Sequence, residues 1–573
     1  MKFAVKPLCL LCVLCGASLC LSLDREAFSI TNYDLNVRVE PEQHRLGVRG
    51  KITLRNDKST PQKIAVLQIS SSLDWRSIKA AEKPLQYLTQ PYTSDIDHTG
   101  SLSEAVVTLP QEVAPHATLA LDIAYEGVIV LDATRLTRIG TPEDAARSAD
   151  WDRVDADITV VRGAGYVAWY PIATETANLS EENELSEVLG RWKVREAQSQ
   201  MNVVFESTRN AQILFSGTPN SFVMTPQDGI VKVGDFSMIR PGMNVPTFAL
   251  ADYKKVDVKG VAAIHFLPGK EAVAASYADV LENLNPLPGA HGGPDLQVAQ
   301  LPDSDASPFV SGNLLLVPLR PITDEYRLTL VYALARQRVP SPRPWVNEGL
   351  AHFAQVLDIE GQHGRKAALD YLNAHRTLLL ESEKQLASAD ASASRQAGSL
   401  AAARSLINTT DDIALQSKAV WVWWMLHDMV GEVGMNLALF QYSALDDKDP
   451  SYMQKLLEKS ARRDLEWFFD DWVYRDRGLP DFKVESAFAH KTMTNSYMLT
   501  ITLDNLGTAG AEVPVIIRMT GGEITRRVEV RAKSKATIRI ETPTTPQEIR
   551  VNDGSVPESD ITNNTFKIEQ PQS

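Results

Sequence analysis

The chain has 573 residues, 44% of them hydrophobic and 23% charged, and its 58 lysines and arginines stand against 72 acidic residues for a formal net charge of −14. That length accommodates about three or four domains with cores of their own. An acidic composition without a basic tract excludes nucleic acid, or an anionic membrane, as a partner held by charge. The first segment, Met1 to Ser22, reads as a secretory signal: Lys2 and Lys6, the apolar run Leu8 to Leu14, then small residues at Ala17, Ser18 and Ser22. All four cysteines (Cys9, Cys12, Cys15, Cys20) fall inside it. A cut after Ser22 leaves a chain from 23 onward with no thiol, and so with neither a disulfide nor a thiolate-bound metal. The expected location is secreted or periplasmic. Cys20 opens a lipid-anchored alternative, which Leu19 disfavours by standing where a small residue is needed.

From 23 to 255 the pattern is that of β structure. Tyr33, Leu35, Val37 and Val39 alternate with polar neighbours, and Val48, Ile52 and Leu54 follow a turn. Gly163 and Gly165, with Tyr166, Trp169 and Tyr170, read as a packed turn. No later stretch reaches about 20 consecutive apolar residues, so no further membrane span is expected.

Between 256 and 480 the pattern turns helical, with helices expected over 272–284, 327–338, 344–356, 366–386, 399–406 and 413–430. Asn313 to Leu319 reads as a buried strand, and Trp421, Trp423 and Trp424 as core. The span 381–405, rich in Ala and Ser, reads as a solvated hairpin or flap. Among the ten histidines no two stand four residues apart, so the metal-binding H-E-x-x-H pattern, two imidazoles on one helical face, occurs nowhere. From 481 to 573 short alternating strands return, such as Tyr497, Leu499, Ile501 and Leu503, and argue for a β-sandwich.

Trp345-Val346-Asn347-Glu348-Gly349-Leu350-Ala351 resembles the W-L-N-E-G-F-A helix of the gluzincin zinc aminopeptidases, the alanyl and leucyl aminopeptidase family. In that family the glutamate is the third zinc ligand. Counting back from Glu348 by the family's spacing places Glu325, Tyr326 and Thr329 in the H-E-x-x-H slot. Glu325 and Thr329 lack the imidazole donors, and a phenol with an ordinary pKa near 10 at Tyr326 does not serve as general base at neutral pH. The resemblance extends further. Val310 stands where the family holds a substrate's amino terminus with a glutamate, and Gln416, in Gln416-Ser417-Lys418-Ala419, stands for the tyrosine that stabilises the oxyanion. Trp467-Phe468-Phe469 through Trp472-Val473 to Gly478 and Pro480 resembles the family's W-F-F-x-x-W-V-x-x-x-G-x-P.

The fold class implied is multidomain α+β: a β saddle domain at 23–255, a thermolysin-like, mainly helical domain at 256–480, and a β-sandwich at 481–573. The function implied is that of a catalytically inactive aminopeptidase-like protein that binds a peptide or an envelope protein. No cofactor is expected. The alternative is an active metallopeptidase with a rebuilt zinc site of Glu325, Glu348 and His352.

Overall fold

The computed structural model describes residues 23–181, 184–220, 226–227, 230–392, 405–407, 409, 414–475 and 477–568. The leader and its cysteines, and nearly all of the helix expected at 399–406, lie outside these residues.

The N-terminal alternation does what its period demands. Strands Phe28–Glu40 and Arg45–Asn56 pair antiparallel, with Phe28 opposite Asn56 and Glu40 opposite Arg45. Tyr33, Leu35, Val37 and Val39 all turn to one face and are buried. Gln200–Ser207 lies parallel to the first strand and Thr118–Val128 antiparallel to the second, within a nine-stranded sheet. A three-stranded sheet of Gln62–Ser70, Gln86–Thr93 and Ser101–Val113 contributes to the same core. Trp169 and Tyr170 seal it: the Trp169 indole donates to the Pro246 carbonyl at 3.0 Å. A Cβ on Gly163 would come within 2.8 Å of the Tyr170 ring, so the aromatic turn requires glycine there. The expectation of uninterrupted β structure is corrected by three helices in this stretch, Thr134–Arg138, Glu143–Ala149 and Glu184–Arg195.

The following region is less helical than its sequence suggests. It holds a five-stranded sheet of Lys254–Val258, Ala262–Phe266, Leu296–Leu301, Leu314–Pro318 and, at its edge, Phe309–Ser311. The expected buried strand is present as Leu314–Pro318. Around the sheet stand helices Glu271–Asn283, Asp324–Arg338, Pro344–His363, Arg365–Ser392, Val420–Gln441 and Tyr452–Ala461. The helix expected to end at Val430 meets Gly431 at φ 72°, kinks, and continues to Gln441. Trp421, Trp423 and Trp424 are fully buried in the core, as apolar helix residues should be.

At the C-terminal end the strands form two sheets, one of Phe482–Lys491, Tyr497–Asn505 and Lys535–Thr542, the other centred on Ala511–Met519. Their apolar faces share one core cluster with the helices. A chain of alternating charges ties them to the helices: Arg365 to Asp428, Asp428 to Arg527, Arg527 to Glu512, and Glu512 to Arg463.

Glu196, 1% exposed, ties the first strand to the end of Glu184–Arg195. Its carboxyl accepts from the Ile30 N–H at 3.1 Å and lies 3.0 Å from the Tyr33 hydroxyl, which is itself 3.0 Å from the Pro171 carbonyl. A phenol has one proton, so when Tyr33 donates to Pro171 the carboxyl must donate to Tyr33, which requires it to be protonated. Burial is the main cause of its pKa rising from 4.5 to about 7, against the pull of those hydrogen bonds. The folded chain therefore holds a proton that the unfolded chain has lost above about pH 4.5. This contribution is complete at low pH and lost as pH rises through about 7. In Glu196→Gln the amide donates as the protonated carboxyl does. The decline in unfolding free energy between pH 5 and 8, followed by urea titration, should be smaller in the variant by about 2 kcal/mol. Equal declines in the two proteins would show that Glu196 is ionised throughout.

Candidate functional site

The site is a helical hairpin. Asp324–Arg338 begins at Thr323, whose hydroxyl caps it by accepting from the Tyr326 N–H. Asp324 and Glu325 in its first turn, and Arg336 and Arg338 in its last, suit the helix dipole. The short connection Val339–Arg343 reverses the chain into Pro344–His363. Contacts across the antiparallel pair fix its register. Arg327 grips Asp358 with two bonds of 2.8 and 2.6 Å, the Tyr332 and His352 rings lie 4.8 Å apart, and Arg336 Nε meets Glu348 Oε1 at 2.7 Å.

Within Trp345-Val346-Asn347-Glu348-Gly349, Val346 is buried in the core and the other four residues each make a specific contact. The Trp345 ring stacks on Trp423 with centroids 5.3 Å apart, and the Trp423 indole donates to the Trp345 carbonyl at 3.0 Å. The Asn347 amide donates to the carbonyls of Arg336 and Val339 at 2.8 and 2.7 Å. It thereby satisfies acceptors that the end of the preceding helix leaves open. A Cβ on Gly349 would lie 2.9 Å from both Ala419 and Trp423, so the close approach of the two helices needs glycine. Glu348 meets side chains of the facing helix.

Both Glu348 oxygens are engaged: one accepts from Arg336, the other from the Tyr332 hydroxyl. Burial pushes this carboxyl's pKa up, but the Arg336 guanidinium, the Tyr332 bond and the nearby His352 outweigh it, and the net shift is downward. Arg336 also reaches the Asn244 side-chain oxygen at 3.3 Å, which links the hairpin to the N-terminal β region.

The residues placed in the H-E-x-x-H slot lie elsewhere. Glu325 is exposed in the first helical turn, about 10 Å along the axis from Tyr332. Tyr326 is 8% exposed and packs in the core, 5.6 Å from the Arg320 guanidinium, with its pKa raised by burial. Thr329 turns its hydroxyl back to the Glu325 carbonyl at 3.1 Å. Of the alternative set, Glu348 and His352 are close neighbours, while Glu325 is not brought to them. The connection Val339–Arg343 is short. With this one, the last turn of the first helix, not its beginning, faces Glu348. Gln416 is exposed, on the π turn Leu415–Ala419. Tyr332 and Arg336 went unnoticed, although their i, i+4 spacing was legible.

Beside Arg336 opens a cavity of about 330 Å³, lined among others by Tyr166, Leu189, Lys193, Val245 and Val310. Among the described residues no acidic side chain lines it, while Arg135, Lys193 and Arg336 do. The donors around Glu348 do not suit zinc either. A phenol and a guanidinium stand where neutral nitrogen lone pairs are needed. Among the described residues no three His, Cys, Asp or Glu side chains are grouped to hold a metal ion.

No family model and no curated protein matches the sequence. Among solved structures the chain is similar to an M1 zinc metallopeptidase from Deinococcus radiodurans. A mutant of that enzyme bound to a Tyr-Ser-Ala substrate matches at 16% identity and a TM-score of 0.46, over 79% of this chain and 96% of that one. A structure titled simply as that metallopeptidase matches at 15% identity and a TM-score of 0.45, over the same shares. At that distance the resemblance concerns the path of the chain, and the chemistry is argued from the residues.

Arg336→Met should destabilise the protein by about 2 kcal/mol, because it strands the Glu348 charge; the cost stays below that of a fully buried pair since Glu348 is 21% exposed. Adding Glu348→Gln should recover most of that loss. Urea unfolding of the two single variants and the double variant measures the coupling, and purely additive effects would mean that the two charges do not compensate each other.

Proposed function

We propose that this chain is an exported, catalytically silent relative of the gluzincin aminopeptidases, which holds a peptide or an envelope protein in a cleft that once served hydrolysis. The observation that carries this reading is the Glu348 carboxylate, paired within the protein to Arg336 and Tyr332. A metal-activated water needs an open coordination position and a base within reach, and here the carboxylate's oxygens face a cation and a phenol. The cavity supports the binding half of the proposal, since it keeps room for a side chain or chain end beside Val310, with no acidic anchor for an amine among the described residues. The rival reading, a hydrolase using Glu325, Glu348 and His352, requires Glu325 to move two helical turns. The leader-like Met1 to Ser22 segment supports export.

Elemental analysis of protein purified without chelator should find zinc far below one equivalent per chain. Aminoacyl reporter substrates should be hydrolysed only at background, with zinc, cobalt or manganese added. One equivalent of zinc that is lost in Glu348→Ala, accompanied by metal-dependent turnover that follows the protein through purification, would overturn the proposal.

A further inference from the structure

We propose that the Arg336 guanidinium is a built-in cation occupying the place between the two helices that a metal ion would take, and that Tyr332 and Arg336, not Glu325 and Thr329, are the positions able to rebuild a metal site with Glu348. This rests on the reading of the chain as catalytically silent.

Three observations converge on those positions. Tyr332 and Arg336 stand one helical turn apart, and both reach the same carboxylate, one oxygen each. Two side chains at i, i+4 facing a carboxylate on an opposing helix form the three-point cradle that zinc uses when the pair is imidazole. The second observation is the Asn347 clamp on the carbonyls of Arg336 and Val339. It fixes the last turn of the first helix to the start of the second, so the cradle's geometry is set by side-chain bonds to the backbone as well as by the ion pair. The third is Ala333, fully buried in the core. It follows Tyr332 as the base follows the first ligand in H-E-x-x-H, and its methyl accepts no proton.

The cradle thus keeps its carboxylate, its helical spacing and its backbone clamp, while its two nitrogen positions are filled by a phenol and a permanent cation. A guanidinium stays charged at any accessible pH. A metal ion approaching Glu348 would meet that charge first, so the carboxylate is satisfied and the metal excluded by the same group.

The test compares two double variants of the full chain, Tyr332→His with Arg336→His, and Glu325→His with Thr329→His, titrated with zinc chloride by calorimetry. The first should bind one zinc per chain with an affinity raised roughly a hundredfold over the parent. Its thermal midpoint should rise on adding zinc, and both effects should vanish on adding Glu348→Gln. The second should bind no better than the parent. Zinc binding by the Glu325 and Thr329 variant alone, or by neither variant when both are folded, would overturn the inference. If the first variant does not fold, Arg336→His alone serves. It leaves an imidazole and a carboxylate in reach, with His352 nearby, and should raise zinc affinity about tenfold in a manner dependent on Glu348; no rise would equally overturn the inference. The parent's own zinc content separates the two readings. A parent that already carries zinc sinks the catalytic silence, whereas a zinc-free parent whose Tyr332 and Arg336 variants stay inert sinks only the built-in cation.

Discussion

A carboxylate enclosed between two packed helices must be compensated from within reach, or it costs several kcal/mol in lost hydration. Glu348 meets that demand with Arg336 and Tyr332, and much of the surrounding geometry follows. Compensation from the last turn of Asp324–Arg338 holds the two helices in one register, which Arg327 and Asp358 repeat at the far end. The same guanidinium forms one wall of the cavity and reaches Asn244. The pair therefore links the hairpin, the pocket and the N-terminal β region through a single cation.

The residues around Glu348 serve the packing of the hairpin directly. In Trp345-Val346-Asn347-Glu348-Gly349 the tryptophan stacks, the asparagine closes a helix end and the glycine allows a close approach. None of those tasks involves a metal. They need no imidazole on the facing helix, and Glu348, partnered by Arg336 and Tyr332, adds an ion pair and a hydrogen bond to the same hairpin. Arg336 in turn gains a bond geometry that lysine would not reproduce, because its planar fork serves Glu348 and Asn244 together.

What the sequence disclosed follows the same division. Alternation at Tyr33, Leu35, Val37 and Val39 marks a strand with one buried face, because a strand's two faces differ by a single residue step. The helices around 344–363 and 365–392 were legible from composition, although both run further than expected. The three helices inside the N-terminal β region were missed; two of them span less than two turns and show no sustained period. The five-stranded sheet was recognised in only one strand, since short buried runs such as Ala262–Phe266 have no polar alternation to betray them. Which side chains face Glu348 was not legible for a different reason. Spacing along a chain translates into facing positions only when the length of the connection is known, and Val339–Arg343 is brief. Pairing Arg336 with Glu348 requires knowing that the helices turn back at once.

Among the enclosed carboxylates, Glu348 and Glu196 behave in opposite ways, and both act on elements that line the cavity. Glu348 has its pKa lowered, so the stability it contributes is present above its unfolded value and is lost only as pH falls through the folded one. Its ion pair is intact across the neutral range. Glu196, raised by burial to about 7, changes state within that range, as does Glu558, raised to about 7 for the same reason. Glu196 acts on the join between the first strand and the Glu184–Arg195 helix, which carries Leu189 and Lys193 into the cavity wall. Opposite them, Arg336 presents a charge that neither pH nor metal supply alters. The cavity is thus lined by one group whose charge is fixed and by a helix whose anchor gains a proton as the medium becomes mildly acidic.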